Sequence, residues 1–191
     1  MARPWAIDNR PYGNRLTQTD VTLDMFILFG YHSNMETIKT TDEFYMLHAL
    51  ELARKASALN EVPIGCVIVH DDKIIGRGYN LRNRLGNTLC HAEILAINCA
   101  CRHLNDWRLE GCTVYVNIEP CPMCAGAILQ ARATRLVFGA RNRKAGAVGS
   151  VLNLLDNSAF NHTVEVTEGV LADEAAELMS GFFKKFRKPL P

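Results

Sequence analysis

Four residues in two short segments have the types and spacing of a hydrolytic metal site. Cys121 and Cys124 lie three positions apart at the start of a predicted helix, so both thiols fall on one face of its first turn. A helix N-terminus stabilises the thiolate form, which is the form that binds metal ions. His91 opens the preceding predicted helix, and one imidazole with two thiolates suits zinc. The two segments therefore predict a zinc site, with the two helix starts meeting at one end of a sheet.

The number of ligands indicates the kind of zinc site. A structural zinc has four protein ligands, whereas a catalytic zinc has three and keeps one position for water, whose pKa it lowers. Glu93 lies two residues after His91, where its carboxylate can accept a proton from that water without binding the metal. This arrangement is what hydrolytic replacement of an amino group requires, with Glu93 as the catalytic acid and base.

Other interpretations of these residues stay open. Cys90, adjacent to His91, would act as a fourth ligand and make the zinc structural, but two adjacent residues have difficulty reaching one ion from a helix start. A Cys-x-x-Cys pair alone is also typical of redox motifs and of buried thiols. We favour three ligands because the His-x-Glu and Cys-x-x-Cys segments occur together, each before a predicted helix.

The elements that must position these residues alternate along the chain. Helical spacing of apolar residues predicts helices at 41–59, 91–104, 121–132 and 172–185. Runs rich in β-branched and aromatic residues predict strands at 64–70, 74–79, 113–118, 135–138 and 164–166. A polar loop reaches Leu89, and a Gly-rich loop ends at Gly149. An opening hairpin followed by this alternation predicts a three-layer α/β domain with a mixed sheet.

Composition predicts one globular domain. The chain has 191 residues, of which 48% are hydrophobic and 21% charged, and no apolar run approaches the roughly 20 residues of a membrane span. Seven unevenly spaced cysteines favour a reducing compartment, and we expect the cytoplasm. Residues 1–34 show no sustained periodicity, so we expect a poorly ordered extension or a mis-assigned start before Met35, and a zinc-dependent domain over 35–191.

Positive charge is concentrated although the net charge is only +1. Three segments, 73–92, 125–147 and 181–191, contain lysines and arginines but no aspartate or glutamate. Such segregation favours a basic face that binds nucleic acid, and it distinguishes this chain from an enzyme acting on free nucleosides. The candidate cations are Arg82, Arg84, Arg141, Arg143, Lys144 and the C-terminal tail.

Further motifs accompany the zinc segments and carry a family resemblance. They are Glu61-Val-Pro-Ile-Gly65, Gly76-Arg-Gly-Tyr-Asn80, Pro120-Cys-Pro-Met-Cys-Ala-Gly126, Val137-Phe-Gly-Ala-Arg141, Lys144-Ala-Gly-Ala-Val-Gly-Ser150 and Phe160-Asn-His162. With them, residues 42–187 closely resemble the bacterial tRNA-specific adenosine deaminases of the cytidine/deoxycytidylate deaminase superfamily. The resemblance implies a three-layer α/β/α cytidine-deaminase-like fold with a mixed central sheet.

The resemblance also implies a reaction and a set of roles. The reaction is conversion of adenosine to inosine at the wobble position of a tRNA anticodon, by a homodimer with one zinc per subunit and neither a membrane nor an organic cofactor. His91, Cys121 and Cys124 would hold the zinc, and Glu93 would carry protons. Residues that would contact the anticodon stem-loop are Asn80, Arg141, Asn142, Phe182, Phe183 and Arg187, although one of the two phenylalanines could simply pack in the core.

Asn142 departs from the family pattern, because many members have aspartate at this position. We infer that loss of a carboxylate near the substrate backbone weakens acceptance of the 2′-hydroxyl and relaxes discrimination between RNA and DNA.

Two alternative functions remain at this point. A guanine or other free-base deaminase shares the metal motif, but the basic segments and the resemblance over 137–150 and 160–187 oppose it. A zinc-stabilised RNA-binding protein without catalysis would have no use for Glu93.

Overall fold

The computed structural model describes residues 40–185, which build a five-stranded sheet covered by helices. The strands are β1 (Gly65–His70), β2 (Lys73–Tyr79), β3 (Thr113–Ile118), β4 (Arg135–Ala140) and β5 (Glu165–Glu168). The helices are α1 (Thr41–Ala58), α2 (Arg82–Leu85), α3 (Ala92–Leu104), α4 (Pro122–Gln130) and α5 (Ala172–Lys184). The predicted extension, 1–34, lies outside the described residues. Across 40–185, no helix combines the length and the apolar character that crossing a membrane requires.

The strand order determines which loops share an edge of the sheet. The order is β2-β1-β3-β4-β5, and β1 is antiparallel to both of its neighbours. β3, β4 and β5 are parallel. Because β2 and β3 both oppose β1, they run in the same direction, and so do β4 and β5. The C-terminal ends of these four strands therefore lie at one edge.

Two hydrophobic cores occupy the two faces of the sheet. In β1, Cys66 and Ile68 belong to the core that includes buried residues of α3 and α4, whereas Val67 and Val69 belong to the core formed with α1 and α5. The same alternation separates Val116 of β3 from its neighbour Tyr115, as expected from the period of two along a strand. The predicted three-layer arrangement and mixed sheet are confirmed.

Glycine allows the helices to approach the strands closely. A Cβ atom on Gly78 of β2 would lie 2.1 Å from the carbonyl oxygen of Ala92, at the first turn of α3. A Cβ atom on Gly65 of β1 would lie 2.2 Å from the carbonyl oxygen of Ala49 in α1. Larger residues at these positions would displace the helices, so Gly78 in particular fixes the start of α3 against the end of β2.

The structure corrects three predicted boundaries. The polar loop after β2 contains the single helical turn α2, which ends at Gly86 with a φ of +57°. The last strand is Glu165–Glu168 and not 164–166, because it pairs with β4 from Arg135↔Glu165 to Phe138↔Glu168. Helix α4 ends at Gln130, two residues before its predicted end.

A partly buried ion pair joins α1 to the sheet. Both Arg135 Nη atoms donate to the Asp42 carboxylate at 2.8 Å, and Tyr115 Oη donates to it at 2.9 Å. Arg135 also donates to Thr167 Oγ1 at 2.8 Å. The hydrogen bonds from Arg135 hold the pKa of Asp42 below its usual range. Arg135 lies in the acid-free segment 125–147, but its charge is therefore neutralised by a distant acid.

This ion pair predicts a pH-dependent stability. The two side chains are only 25% and 22% exposed, so Asp42→Asn should lower the free energy of unfolding by about 2 kcal/mol near neutral pH. The lowered pKa of Asp42 means that its stabilisation is present above the ordinary aspartate pKa and is lost as the pH falls through the folded value. Urea unfolding of wild type and variant, at neutral pH and at about pH 3, should show a difference that shrinks at the lower pH.

The matched control is Asp156→Asn, because Asp156 is exposed and should change stability little at either pH. A difference between Asp42→Asn and wild type that stays constant across the two pH values would contradict the prediction.

Candidate active site

Two helix starts meet at the edge where β2, β3 and β4 end. His91 is the N-cap of α3, and Cys121 is the N-cap of α4, with Pro122 at its first helical position. Neither side chain caps its own helix, so both are available for another partner. Cys124 lies one turn into α4 and is buried. The sheet edge thus carries the predicted metal ligands to one place.

The three side chains have the separations of a tetrahedral metal site. His91 Nδ1 lies 3.7 Å from Cys121 Sγ and 3.6 Å from Cys124 Sγ. In a tetrahedral zinc centre with ordinary bond lengths, an imidazole nitrogen and a thiolate sulfur lie about 3.6 Å apart. The residues His91, Cys121 and Cys124 therefore fit zinc in donor type and in spacing, and they form the one His/Cys/acid cluster of this kind found within 40–185.

Cys90 does not belong to this cluster. Its side chain is buried, and its carbonyl oxygen accepts a hydrogen bond from the Leu81 backbone at 3.0 Å. Burial raises the pKa of the Cys90 thiol, which opposes a thiolate at this position. The arrangement favours three ligands over the alternative with Cys90 as a fourth.

A hydrogen bond couples the two cluster thiols. Hydrogen bonds with Cys124 and His91 lower the pKa of Cys121 to about 4, despite its partial burial. The hydrogen bond with Cys121 raises the pKa of Cys124, and burial adds to that effect. The two sulfurs therefore share one proton through their hydrogen bond, which stabilises a thiolate in the cluster.

Glu93 is a buried acid with an unused oxygen. Its side chain is only 3% exposed, and its Oε2 is one of two fully buried side-chain polar atoms without a hydrogen-bond partner within 40–185. Burial raises the pKa of Glu93, and its carboxylate also interacts with Cys124. A buried, unsatisfied carboxylate beside a metal-type cluster can hold and transfer protons.

Asn80 follows β2 at the same edge and is 4% exposed. Its Nδ2 donates to Glu61 Oε2 at 3.2 Å, and its backbone N–H donates to Ile64. The next residue, Leu81, bonds to the carbonyl of Cys90, which brings Asn80 close to the start of α3. Asn80 is therefore brought to the site by Glu61, an acid of the Glu61-Val-Pro-Ile-Gly65 motif to which the sequence analysis assigned no role.

Glu119 is the second acid that sequence reasoning missed. Its buried carboxylate accepts hydrogen bonds from the backbone N–H groups of Asn142, Val148 and Ser150 at 2.9 to 3.0 Å, and from the Ser150 hydroxyl. It thereby fixes the loop after β4 beside the Cys121 segment. The available signal was an acid immediately after a buried strand and two residues before Cys121.

The loop after β4 carries two predicted substrate residues. Arg141 Nη2 lies 2.5 Å from Glu168 Oε2, so this arginine is already paired, and it lines a cavity of about 410 Å³ at the β4–β5 edge. Asn142 Oδ1 accepts backbone hydrogen bonds from Lys144 at 3.3 Å and from Ala145 at 3.2 Å. In the structure the Asn142 side chain therefore stabilises its own loop.

The two phenylalanines of α5 occupy different environments. Phe182 is buried, whereas Phe183 is 46% exposed, and their rings contact edge to face at 5.4 Å between centroids. Phe182 thus has the packing role left open for one of them, and Phe183 has the exposure that a ligand contact requires. Arg187 lies outside the described residues.

Comparison with known proteins agrees with this geometry. The family model of the MafB19-like deaminases matches residues 40–187. A mixed sheet with helices on both faces and a His-Cys-Cys cluster at the strand ends therefore defines an enzyme of the deaminase class, a hydrolase with the cytidine-deaminase-like fold.

Comparison with individual relatives identifies the family within the deaminase class. The tRNA-specific adenosine deaminase of Bacillus subtilis is 48% identical over 149 residues, which cover 78% of this chain and 92% of that protein. A solved structure from work on A-to-I editing by tRNA:A34 deaminases at the wobble position of transfer RNA is 41% identical, with a TM-score of 0.68, covering 71% of this chain and 98% of its own. The chain belongs to the tRNA-specific adenosine deaminase family.

A guanine deaminase is a more distant neighbour. The enzyme from Nitrosomonas europaea is 26% identical with a TM-score of 0.62, over 76% of this chain and 86% of that one. The fold is thus shared with a free-base deaminase, and the higher identity lies with the tRNA-specific family.

The cluster geometry predicts which cysteine matters for metal binding. Purified wild-type protein should contain about one zinc per chain, and Cys124→Ser should lose most of it because two ligands hold zinc far less tightly than three. Cys90→Ser is the matched control, since it removes a buried neighbouring thiol outside the cluster. Elemental analysis of the purified proteins measures both; zinc loss from Cys90→Ser equal to that from Cys124→Ser would contradict the three-ligand arrangement.

Proposed function

We propose that this enzyme converts adenosine to inosine at the wobble position of a tRNA anticodon, using zinc and water and releasing ammonia. The observation that carries the proposal is the His91, Cys121 and Cys124 cluster beside the buried, unpaired Glu93 carboxylate. The 48% identity to a tRNA-specific adenosine deaminase supports the choice of substrate.

Each residue of the site has a defined task in this reaction. His91, Cys121 and Cys124 would hold the zinc, which when bound acts as a Lewis acid that makes water a nucleophile near neutral pH. Glu93 moves one proton from the attacking water to N1 of adenine. It moves a second proton to the exocyclic nitrogen at C6, which leaves as ammonia while a carbonyl forms at C6. The raised pKa of Glu93 suits a group that both accepts and donates protons.

Binding of the anticodon loop would use groups around this edge. A loop nucleotide must leave the stack and enter the site, which needs hydrogen bonds to that nucleotide and cations for the flanking backbone. Asn80 would bind the target nucleotide, and Arg141, Asn142, Phe182, Phe183 and Arg187 are the further proposed contacts. Arg82, Arg84, Arg143 and Lys144 make no ion pair with other residues of the described range, so their charges are available to phosphates.

Assembly and location complete the proposal. We propose a homodimer with one zinc per subunit that binds the tRNA anticodon stem-loop in the cytoplasm, without a membrane or an organic cofactor. The sequence resemblance to the tRNA-specific adenosine deaminases supports this proposal.

The decisive experiment offers the zinc-loaded protein an anticodon stem-loop with a wobble adenosine, and in parallel free adenosine, guanine and cytidine. Inosine should form in the stem-loop, and the free compounds should react at least about a hundredfold more slowly because they lack the backbone contacts. Glu93→Gln should keep its zinc and lose at least about 10³-fold in turnover.

Each result separates the proposal from an alternative. Conversion of guanine with an untouched stem-loop would establish a free-base deaminase, in line with the structural likeness to the Nitrosomonas enzyme. Stem-loop binding without any turnover, in wild type and Glu93→Gln alike, would instead indicate a zinc-stabilised RNA-binding protein.

Asn142 provides a further prediction about sugar discrimination. Asn142→Asp restores a carboxylate beside the proposed substrate backbone, and should raise the ratio of the rate on an RNA stem-loop to that on its DNA counterpart. The aspartate retains an acceptor for the Lys144 and Ala145 N–H groups, so the loop should keep its conformation. Rates on both stem-loops measure this, and an unchanged ratio would contradict our inference.

A further inference from the structure

Glu61 is a fully buried acid that the proposed mechanism does not use. It is 1% exposed and lies between α1 and β1, outside the His-Cys-Cys cluster. Buried carboxylates are retained only with hydrogen-bond partners, and Glu61 has two. Its Oε2 accepts from Asn80 Nδ2 at 3.2 Å, and its Oε1 accepts from the Arg84 backbone N–H at 2.6 Å.

The first contact determines which way the Asn80 amide faces. An ionised carboxylate only accepts hydrogen bonds, so it selects the NH₂ end of the Asn80 side chain and leaves Oδ1 on the other side. Asn80 Oδ1 accepts no hydrogen bond in the part of the chain that the structure describes, and it is not among the fully buried polar atoms there. The Asn80 side chain therefore keeps an unpaired acceptor oxygen.

The second contact fixes the short helix α2. The Arg84 N–H is one of the N-terminal amides of a four-residue helix whose N-cap, Leu81, makes no side-chain hydrogen bond. Glu61 Oε1 supplies the missing acceptor, as a capping side chain would. The Glu61 carboxylate thus positions both the side-chain amide of Asn80 and the helical turn that carries Arg82 and Arg84.

We propose that Glu61 is a positioning residue that orients Asn80 so that its Oδ1 accepts a hydrogen bond from a donor on the target nucleotide, such as a sugar hydroxyl. The proposal rests on the proposed function of the enzyme. It explains why an acid, and not an amide, occupies this place. Glutamine could serve the Arg84 N–H or Asn80 in its present orientation, but not both, because it has a single acceptor oxygen.

The test exchanges the acid and the amide between positions 61 and 80, so that the double variant keeps the net charge. In Glu61→Gln, Asn80 should turn its oxygen toward the new NH₂ group and offer a donor to the substrate. We expect KM for the wobble-adenosine stem-loop to rise about tenfold or more with a smaller change in kcat. Adding Asn80→Asp should restore much of the loss, because the glutamine NH₂ can donate to one aspartate oxygen while the other faces the substrate. Asn80→Asp alone places two carboxylates in contact and should be worse than the double variant.

The measurements are KM, kcat, zinc content, thermal unfolding and stem-loop affinity of the full chain, with the exposed Glu110→Gln as the matched control. Recovery of KM and affinity in the double variant, at unchanged zinc content, supports the proposal. If the double variant is no more active on the stem-loop than the better of the two single variants, the proposal is overturned. This holds whether or not the single variants fold. An inactive wild type on the stem-loop would defeat the proposed function, and this role with it, whereas an active wild type with Glu61→Gln at normal KM would defeat this role alone.

Discussion

The common direction of β2, β3 and β4 is the constraint on which the site depends. β1 lies between β2 and β3 and is antiparallel to both, so those two strands end at the same edge. The segment after β2 leads to the N-terminus of α3, and the segment after β3 leads to the N-terminus of α4. Ligands that are 30 residues apart in the sequence therefore come within 3.7 Å. Gly78 allows the start of α3 to lie this close to β2, because the carbonyl oxygen of Ala92 occupies the space that a side chain at position 78 would need.

Three buried glutamates surround this edge, and their hydrogen bonding divides their roles. Glu61 and Glu119 have donors on both oxygens, and each fixes a loop beside the site. Glu93 has an oxygen without any partner among the described residues, although burying such an atom is unfavourable. The unpaired oxygen of Glu93 therefore remains able to bind a ligand that supplies and receives protons, as the proposed reaction requires.

Sequence patterns were sufficient for the layers, the helices and the metal cluster, because these depend on local periodicity and on ligand spacing. Helix α2 was missed because a single turn has little intrinsic stability and is held here by Glu61, 23 residues away. Strand β5 was misplaced because its residues are mostly exposed and lack the alternation of a half-buried strand. The buried positioning roles of Glu61 and Glu119 were missed because an acid in a sequence normally indicates surface, and burial depends on donors contributed by distant segments.

The distribution of unpaired charge also depends on contacts between residues that are distant in the sequence. Acid-free segments predicted a basic face, but Arg135 pairs with Asp42 and Arg141 with Glu168. These partners are 93 and 27 positions away, beyond the reach of any local pattern. The arginines of α2, Arg143 and Lys144 make no ion pair within 40–185. They follow β2 and β4 at the edge that carries the His-Cys-Cys cluster. Tertiary pairing thus neutralises positive charge on the sheet and leaves unpaired cations at the edge where the proposed reaction requires a phosphate backbone.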